Sequence, residues 1–383
     1  MARFTDESPD VSIAVVNYNS SAWLEGLLES LRRETFRVDG RPGTLEVIII
    51  DNASRAEDHR RLEGLAGPGV RLLRNGENLG YALANQQGLH LARGRFHVVS
   101  NPDVMVVPGC LQSLLDVLSS REEIAVVGPL ATMDSEGLVL MPPNELPDPY
   151  LESLTVLARR YPALARYNLR RRARFAHAYW TAEKPLRLPM LSGGFFMGRR
   201  STFLEAGLFD PGFPLYYEDT DLFRRYHQQG LELWHVPQAR IVHLFSRSAT
   251  PRMKASMYRN QVGARRYFRR WFGPPGERVL SRIQARAEAA PMVEPCAMQT
   301  PPPMEEAGTL PLPDVPGAYV EVAGNPHFTL AVGILPPSGT RTFRIPVSFW
   351  NQLGPGTYWF RAADPESHET LEAWRIIKCP PRT

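Results

Sequence analysis

One carboxylate in this sequence stands where a strongly apolar segment ends. The apolar run Val98-Val99 leads into Asn101, Pro102 and Asp103, and a second apolar run, 104–107, leads away. Short apolar runs are typical of buried strands, and a proline restricts the backbone between them. A charged side chain at such a point is poorly suited to a core. We therefore take Asp103 as the first candidate site residue.

A second group of acidic residues opens a predicted helix. Glu218, Asp219 and Asp221 lie at the start of YYEDTDLFRRYHQQG, a helical pattern that ends at Gly230. Acids in a first helical turn are favourable with the helix dipole, so helix stabilisation alone could explain them. Upstream, the pair Gly193-Gly194 interrupts an apolar run and allows close approach to the backbone.

The elements that must position these residues alternate between strands and helices over the first 130 residues. Apolar segments such as VSIAVVN and LEVIIID are separated by amphipathic segments such as SAWLEGLLESLRRE. This alternation predicts an α/β fold with a Rossmann-like, mostly parallel sheet and helices on both faces. Ligands bind such sheets beyond the carboxyl ends of the strands. The predicted strand ends carry Asn17 and Asn19, Asp51 and Asn52, Asn75 and Asn78, and Asn101 and Asp103.

Several classes of protein are disfavoured by missing patterns. No GxGxxG motif follows the first strand and no GxxxxGK[ST] motif occurs, which disfavours dinucleotide dehydrogenases and P-loop NTPases. The sequence has no apolar run long enough to span a membrane and no visible signal peptide, so we expect a cytoplasmic protein. The net charge of +4 does not indicate nucleic acid, although arginines cluster at 170–174 and 265–270 in a way that suits anionic partners.

The C-terminal third has a different pattern. Prolines concentrate between 273 and 316, which predicts a linker. Short alternating segments then follow from 317 to 383 and predict a small all-β sandwich domain. The aromatic residues of this region could stack on sugars, but alternating aromatics are more typical of a sandwich core. These aromatics are Phe349, Trp350, Tyr358, Trp359 and Trp374.

Six segments, in order between residues 11 and 245, resemble the family 2 inverting glycosyltransferases of the GT-A fold, above all their rhamnosyltransferase-like branch. These segments are VSIAVVNYNS, EVIIIDNAS, NGENLGYALANQQGL, VVSNPDV, LSGGFFMGRR and YYEDTDLFRR. The resemblance implies a GT-A catalytic domain over residues 1–272. The QxxRW signature of processive synthases is missing, which favours transfer of a single sugar.

The resemblance assigns roles to the polar strand ends. The turn Asn101-Pro102-Asp103 is similar to the family's DxD-type turn, so Asp103 would contact a divalent metal, Mg²⁺ or Mn²⁺, that bridges the donor's diphosphate. His243 resembles a histidine that completes this metal site. The remaining matches imply contacts with the donor's base, diphosphate and sugar. They fall on Asn17, Asp51, Asn52, Asn78, Asn85 and Asn101.

The same resemblance implies the catalytic base. Asp219 is similar to the family's base, which deprotonates the acceptor hydroxyl as it attacks the sugar, and Glu218 is its rival for that role. Gly193 and Gly194 resemble the loop that the acceptor approaches. A nucleotidyltransferase is disfavoured because the first loop lacks glycine and lysine, whereas a catalytically inactive binding or scaffold protein stays open as an alternative.

The implied partners are a dTDP- or UDP-sugar donor and a glycan or lipid-linked acceptor. The segment 252–272 is a basic amphipathic helix, which suits peripheral contact with the inner face of an anionic membrane. A homodimer is also left open by the sequence.

Overall fold

The computed structural model describes residues 3–213, 215–244, 253–289 and 293–380. The chain divides into two compact units. Unit 1 contains Met1–Ala131, Asn144–Leu146 and Glu183–Pro274, and unit 2 contains Thr132–Pro143, Pro147–Ala182 and Pro275–Thr383. Each unit therefore gathers stretches that are distant in the sequence.

The elements follow one another along the whole described chain. The strands are β1 (Arg3–Phe4), β2 (Val11–Asn17), β3 (Arg37–Val38), β4 (Arg41–Pro42), β5 (Thr44–Asp51), β6 (Val70–Arg74), β7 (Phe96–Ser100), β8 (Val104–Val106), β9 (Ile124–Thr132), β10 (Leu186–Arg187), β11 (Phe195–Arg199), β12 (Glu232–His243), β13 (Thr309–Pro311), β14 (Tyr319–Ala323), β15 (Val332–Ile334), β16 (Thr342–Arg344), β17 (Gly356–Ala363) and β18 (Thr370–Lys378). The helices are α1 (Ser21–Arg33), α2 (Ala56–Leu65), α3 (Tyr81–Leu91), α4 (Cys110–Ser120), α5 (Pro149–Ala158), α6 (Pro162–Trp180), α7 (Arg200–Ala206), α8 (Glu218–Gln228), α9 (Met253–Ala289) and α10 (Val347–Gln352).

Unit 1 is built on a large mixed sheet. Its strand order is β1-β5-β2-β7-β11-β9-β12-β10, with β6 also on β5 and β8 also on β12. The strands β1, β2, β5, β6 and β7 pair in parallel, whereas β11, β12, β8 and β10 pair in antiparallel fashion. The predicted α/β fold with a parallel sheet is confirmed. The sequence did not predict the antiparallel half, which brings distant segments next to β7 and β8.

The parallel strands form because their side chains are apolar on both faces. Every residue of β2 is buried, and so are all residues of β5 except Thr44. Strands that are buried on both faces must be covered by helices, and α3 packs on β2 and β5. The polar residues that end β2 and β5 therefore reach the same edge of the sheet.

Unit 2 contains the C-terminal antiparallel β domain. The sheet β15-β14-β17-β18 and the pair β13-β16 contribute to one apolar cluster that includes Leu310, Phe343, Val320, Phe360 and Trp374. The helices α5 and α6 belong to this unit as well, and Trp180 of α6 packs against Gly333 of β15. The sequence did not predict that this helical segment joins the C-terminal β domain.

Two expectations for the C-terminal third differ from the structure. Residues 273–316, expected to be a linker, contain the second half of α9 and strand β13. Pro274 and Pro275 follow the non-helical Gly273 and begin the second half of α9. Proline is tolerated there because the first backbone N–H groups of a helix have no partner within the helix. The segment around Val347, expected to be a strand, forms helix α10. The assignment of 1–272 and 317–383 as catalytic and accessory domains stays a prediction.

The first half of α9 packs on unit 1 through its apolar face. Ala264, Tyr267 and Phe268 are buried, and the indole N–H of Trp271 donates to Asp221 of α8 at 3.0 Å. Part of the apolar surface that suggested membrane contact is therefore used inside the protein, whereas Tyr258 and Val262 are exposed. Among the described residues, no helix is both long enough and apolar enough to cross a bilayer.

Candidate active site

Asp103 and His243 meet because two short strands pair. β8 follows the turn at Asp103 and pairs with the end of β12, so that His243 stands opposite Val104. The backbone N–H of Leu244 donates to the carbonyl of Asp103 at 3.1 Å. As a result, Asp103 Oδ1 lies 3.4 Å from His243 Nε2, and each side chain is 5% exposed. The two residues that the sequence assigned to a metal therefore lie together.

Asn101 connects this pair to the glycine loop. β7 pairs with β11 in a register that sets Ser100 opposite Phe195, and the N–H of Asn101 donates to the carbonyl of Gly194 at 2.8 Å. The side-chain amide nitrogen of Asn101 lies 3.4 Å from His243 Nε2. The antiparallel half of the sheet thus delivers Gly193 and Gly194 to the turn that holds Asp103.

Both glycines are required by close packing. A Cβ at Gly193 would lie 2.5 Å from Asp219 Oδ2, and a Cβ at Gly194 would lie 2.7 Å from His243 Cε1. Any other residue would push these side chains away, since real Cβ contacts are longer. The pair therefore allows Asp219 and His243 to approach one backbone segment from two sides.

Asp219 is held by the start of α8. Tyr216 and Tyr217 precede the helix with φ values of 67° and 68°, a left-handed conformation that costs free energy in residues other than glycine. The N–H and hydroxyl of Thr220 donate to Asp219 Oδ1 at 2.7 and 3.2 Å. This strained entry turn fixes the direction of the Asp219 carboxylate toward Gly193.

The two neighbouring acids have different surroundings. Glu218 is 6% exposed, and its Oε2 has no hydrogen-bond partner among the described residues. Burial and the nearby Asp219 raise the pKa of Glu218 well above its usual range. Burial also raises the pKa of Asp219, but N–H donors from Thr220 and Gly193 oppose this effect. Asp219 is partly exposed and is the better candidate for an ionised, accessible base.

Tyr81 is a site residue that sequence reasoning missed. Its hydroxyl lies 3.0 Å from Asn101 Oδ1 and 3.3 Å from the carbonyl of Gly193, so it can donate to either. Burial, followed by the charges of three carboxylates, raises the pKa of Tyr81, which keeps the phenol neutral. We call these three carboxylates, Asp103, Glu218 and Asp219, the carboxylate cluster. The only signal in the sequence was a tyrosine at the first helical position after a polar strand end.

Four further predicted residues form what we call the asparagine edge: Asn17, Asp51, Asn52 and Asn78. Asp51 is fully buried, and it accepts from the N–H of Ser54 at 3.1 Å and contacts His59 Nδ1 at 2.7 Å. The side-chain amide of Asn52 donates to Asn78 Oδ1 at 3.0 Å. The predicted nucleotide-contacting residues therefore lie close together, and several of them bond to one another.

Asn17 and Asn85 differ from their neighbours because each keeps a buried oxygen without a protein partner. Asn17 Nδ2 donates to Ser54 Oγ and Asp58 Oδ2, and Asn85 Nδ2 donates to the carbonyl of Tyr81 at 3.0 Å. Within the described part of the chain, neither side-chain oxygen has a hydrogen-bond partner. Both residues are fully buried, so they support the walls of the site from beneath.

The residues at the Asp103 turn fit a divalent cation. One carboxylate oxygen and one imidazole nitrogen converge, and both are ligands that Mn²⁺ accepts, whereas Mg²⁺ prefers oxygen. No group of three or more His, Cys, Asp or Glu side chains able to hold a metal occurs among the described residues. The protein therefore supplies few ligands, which is typical of a metal that also binds substrate phosphates.

Comparison with known proteins identifies the family. The family model for glycosyl transferase family 2 matches residues 12–207. The N-acetylglucosaminyl-diphospho-decaprenol L-rhamnosyltransferase of Mycobacterium tuberculosis is 30% identical over 243 residues, covering 60% of this chain and 75% of that protein. This identity confirms the resemblance to the rhamnosyltransferase-like branch.

Two solved structures are also similar in fold. The crystal structure of GalNAc-T7 with UDP, GalNAc and Mn²⁺ has a TM-score of 0.46 and 19% identity, covering 74% of this chain and 56% of that one. The mannosyltransferase PcManGT from Pyrobaculum calidifontis, in complex with GDP-Man and Mn²⁺, has a TM-score of 0.45 and 17% identity, covering 76% and 73%. The family match and the 30% identity to the rhamnosyltransferase show that the chain belongs to glycosyl transferase family 2 and is a glycosyltransferase, as its sequence predicted.

Proposed function

We propose that this protein moves one sugar from a nucleotide-diphosphate sugar to a hydroxyl of a glycan or lipid-linked acceptor, with inversion at the anomeric carbon. One observation carries the proposal. The Tyr81 hydroxyl lies within 3.3 Å of both Asn101, on the turn that holds Asp103, and Gly193, beside Asp219. The candidate base and the candidate metal ligands therefore belong to one site.

In this proposal Asp219 is the general base. Its carboxylate accepts the proton of the acceptor hydroxyl while the acceptor oxygen forms a bond to the anomeric carbon and the bond to the diphosphate breaks. A single displacement of this kind inverts the configuration of the sugar. The donors on Thr220 and Gly193 favour the ionised form of Asp219 and partly oppose the rise in its pKa that burial causes. Glu218 is buried and its Oε2 has no hydrogen-bond partner within the described part of the chain, which suits a neutral acid that shapes the pocket.

Asp103 and His243 would hold a divalent cation, Mg²⁺ or Mn²⁺. Such a cation, when bound, stabilises the negative charge that develops on the leaving diphosphate. Asn101 orients this pair, since its amide lies 3.4 Å from His243 Nε2 and its backbone is fixed by Gly194. Titration with each metal distinguishes the two ions.

The asparagine edge and Asn85 would line or support the part of the site that holds the nucleotide and the diphosphate. The edge lies at the carboxyl ends of β2 and β5, where ligands bind to parallel sheets. Asn52 also lies within 3.3 Å of the carbonyl of Gly80, next to Tyr81. The backbone at the start of α3 thus joins the proposed nucleotide side to the proposed reaction centre.

The substrates follow from the relative's name and the family resemblance. The mycobacterial relative is named as an L-rhamnosyltransferase that acts on N-acetylglucosaminyl-diphospho-decaprenol. We therefore propose dTDP-rhamnose as the first donor to test, with UDP-sugars as alternatives, and a lipid-linked diphosphate sugar as the acceptor. Such an acceptor implies peripheral contact with a membrane. The cytoplasmic location and the homodimer stay predictions.

A donor panel tests this function directly. The full chain is incubated with dTDP-rhamnose or UDP-sugars, a lipid-linked N-acetylglucosamine acceptor, and Mg²⁺, Mn²⁺ or a chelator. We expect metal-dependent release of nucleoside diphosphate and a product whose anomeric configuration, determined by NMR, is opposite to that of the donor. Donor binding without transfer to any acceptor would instead identify a catalytically inactive relative. A product with retained configuration would contradict the single-displacement mechanism.

A further inference from the structure

The helices α5 and α6 of unit 2 expose an unusual number of large side chains. Leu154, Ala158, Ala165 and Leu169 are buried and hold the two helices to their unit. On the remaining surface, four large residues are 44–62% exposed, well above the exposure of a core residue. These are Tyr150 at 62%, Leu157 at 44%, Tyr161 at 48% and Tyr167 at 47%.

These four side chains lie along α5, the turn that follows it and α6, and we call them the strip. The neighbouring Tyr167 raises the pKa of Tyr150, so these two side chains are close together, and the N–H of Tyr161 donates to the carbonyl of Leu157 at 3.0 Å. The contacts pair the start of α5 with α6 and the end of α5 with the turn, so the helices run antiparallel. Tyr150 and Leu157 are seven residues apart, which places them on the same face of α5, about 10 Å from each other.

The strip is surrounded by positive charge. Residues 159–174 contain seven arginines and no acidic residue. Arg160, Arg166, Arg170 and Arg174 are exposed, and Arg160 lies 6.0 Å from the ring centre of Tyr161. Arg170 forms an exposed ion pair with Glu369, whereas no ion pair of Arg160 or Arg166 occurs in the described part of the chain. This surface is therefore both apolar and strongly basic.

We propose that this tyrosine–arginine strip docks the protein on an anionic lipid bilayer. Arginine binds lipid phosphates, and tyrosine and leucine enter the interface between headgroups and acyl chains. A stable homodimer buries about 800 Å² of surface on each partner. Four half-exposed side chains do not supply this area by themselves, so a dimer interface is the weaker interpretation. On the first half of α9, Ala264, Tyr267 and Phe268 are buried, but Tyr258 and Val262 are exposed, so variants of both surfaces are compared below.

The docking proposal rests on the proposed function in one respect: a lipid-linked acceptor would explain why the protein binds a membrane. Docking itself is measured without donor or acceptor. The full chain is sedimented with vesicles of phosphatidylcholine and phosphatidylglycerol, and separately with vesicles of phosphatidylcholine alone. We expect binding to the anionic vesicles that weakens as salt is added. If the chain does not bind anionic vesicles, the docking proposal fails, while sugar transfer to a short water-soluble acceptor would still support the proposed function.

Matched variants locate the surface. Each exposed arginine near an anionic surface contributes about fivefold to binding, so Arg160→Gln with Arg166→Gln should weaken binding roughly 30-fold. The control, Arg341→Gln with Arg344→Gln, removes the same charge from exposed positions of the same unit and should change binding much less. Tyr150→Ala with Tyr161→Ala tests the apolar part and should also weaken binding.

Three results would overturn the proposal. Equal losses in the control and in the Arg160/Arg166 variant would show that only net charge matters. Loss of binding in Arg265→Gln with Arg269→Gln, with the Arg160/Arg166 variant unchanged, would assign the contact to α9. A dimer in light scattering that Tyr150→Ala with Tyr161→Ala dissociates, without effect on vesicle binding, would make the strip a subunit interface.

Discussion

The asparagine edge and the carboxylate cluster lie in one unit, but the edge is held by hydrogen bonds among its own and neighbouring side chains, whereas the cluster holds three carboxylates around one tyrosine. At the edge, Asp51 bonds to Ser54 and His59, and Asn52 bonds to Asn78. In the carboxylate cluster, Glu218 Oε2 has no partner among the described residues, and the charges of the cluster converge on Tyr81. Satisfied polar groups stabilise a fold, whereas like charges held together cost stability and are typical of functional sites.

This difference predicts that changes at the edge act mainly on stability and changes in the cluster act mainly on activity. The largest expected effect is that of Asp219→Asn, which keeps the shape of the side chain but removes its basicity. The rate of transfer should fall roughly 10²–10⁴-fold, because general-base catalysis contributes about that much. Donor affinity should be almost unchanged, because the base faces the acceptor. Single-turnover kinetics and donor titration measure the two quantities separately.

The pH dependence of the wild type provides a control for Asp219. The base acts only when it is ionised, so the rate should fall as the pH decreases through its pKa. Burial raises that pKa, so the fall should occur above the ordinary value of 3.8 for an aspartic acid. The residual rate of Asp219→Asn should not show this fall at low pH. Full activity in Asp219→Asn together with loss of activity in Glu218→Gln would show that Glu218, and not Asp219, is the general base.

The second effect is that of Asp103→Ala on metal-dependent donor binding. Changing an outer partner of a metal ligand already costs about 10–100-fold in affinity, so removal of the ligand itself should cost more than about 100-fold. Isothermal titration with a donor nucleotide and Mn²⁺ measures this loss. The free energy of unfolding should change little, because a turn carboxylate supports little packing. If the Mn²⁺ dependence of donor binding were unchanged in Asp103→Ala, Asp103 would not be a metal ligand.

The third effect belongs to the asparagine edge. Asp51→Ala leaves His59 and the N–H of Ser54 without their buried acceptor, which should lower the free energy of unfolding by about 3 kcal/mol. Urea denaturation measures the loss. Asp39→Ala serves as the control, since Asp39 forms an exposed ion pair with Arg95 that should contribute less than about 1 kcal/mol. If Asp103→Ala destabilised the protein as much as Asp51→Ala, the contrast between the two regions would not hold.

The smallest effect is that of Tyr81→Phe. This change removes one neutral hydroxyl that contacts Asn101 and Gly193 but keeps the ring that packs against Phe209. A loss of about 1 kcal/mol corresponds to a roughly fivefold decrease in kcat, with little change in stability. An unaltered kcat would show that the hydroxyl does not help to align the turn and the glycine loop.

Much of this site could be predicted because parallel strands bring their carboxyl ends to one edge. Asp51 is the last residue of β5, Asn52 follows it directly, and Asp103 lies on the turn that follows β7, so local pattern was sufficient. Tyr81 was missed because its role depends on the register of β11, which carries Gly193 to the same place. No local property of the segment around Tyr81 encodes that register.

The errors in the C-terminal third have a similar cause. The prolines between 273 and 316 predicted a linker, yet a helix can begin at a proline, as at Pro274 and Pro275, and only neighbouring contacts decide between the two. The position of α5 and α6 in unit 2 could not be predicted, since Trp180 finds its partner at Gly333. Contacts between residues so far apart in the sequence leave no periodic signal.

The interleaved composition of the two units has a consequence for synthesis. Unit 1 has all its residues once Pro274 has been made, whereas the segments 132–143 and 147–182 must wait for Pro275–Thr383 before unit 2 can close. At ribosomal speeds this wait lasts roughly 5 to 20 s. During that time the side of α6 that later contacts Tyr319 and Gly333 stays uncovered on the nascent chain. Release of a chain shortened at residue 272 would make that exposure permanent, and we expect such a chain to be retained by chaperones or to aggregate.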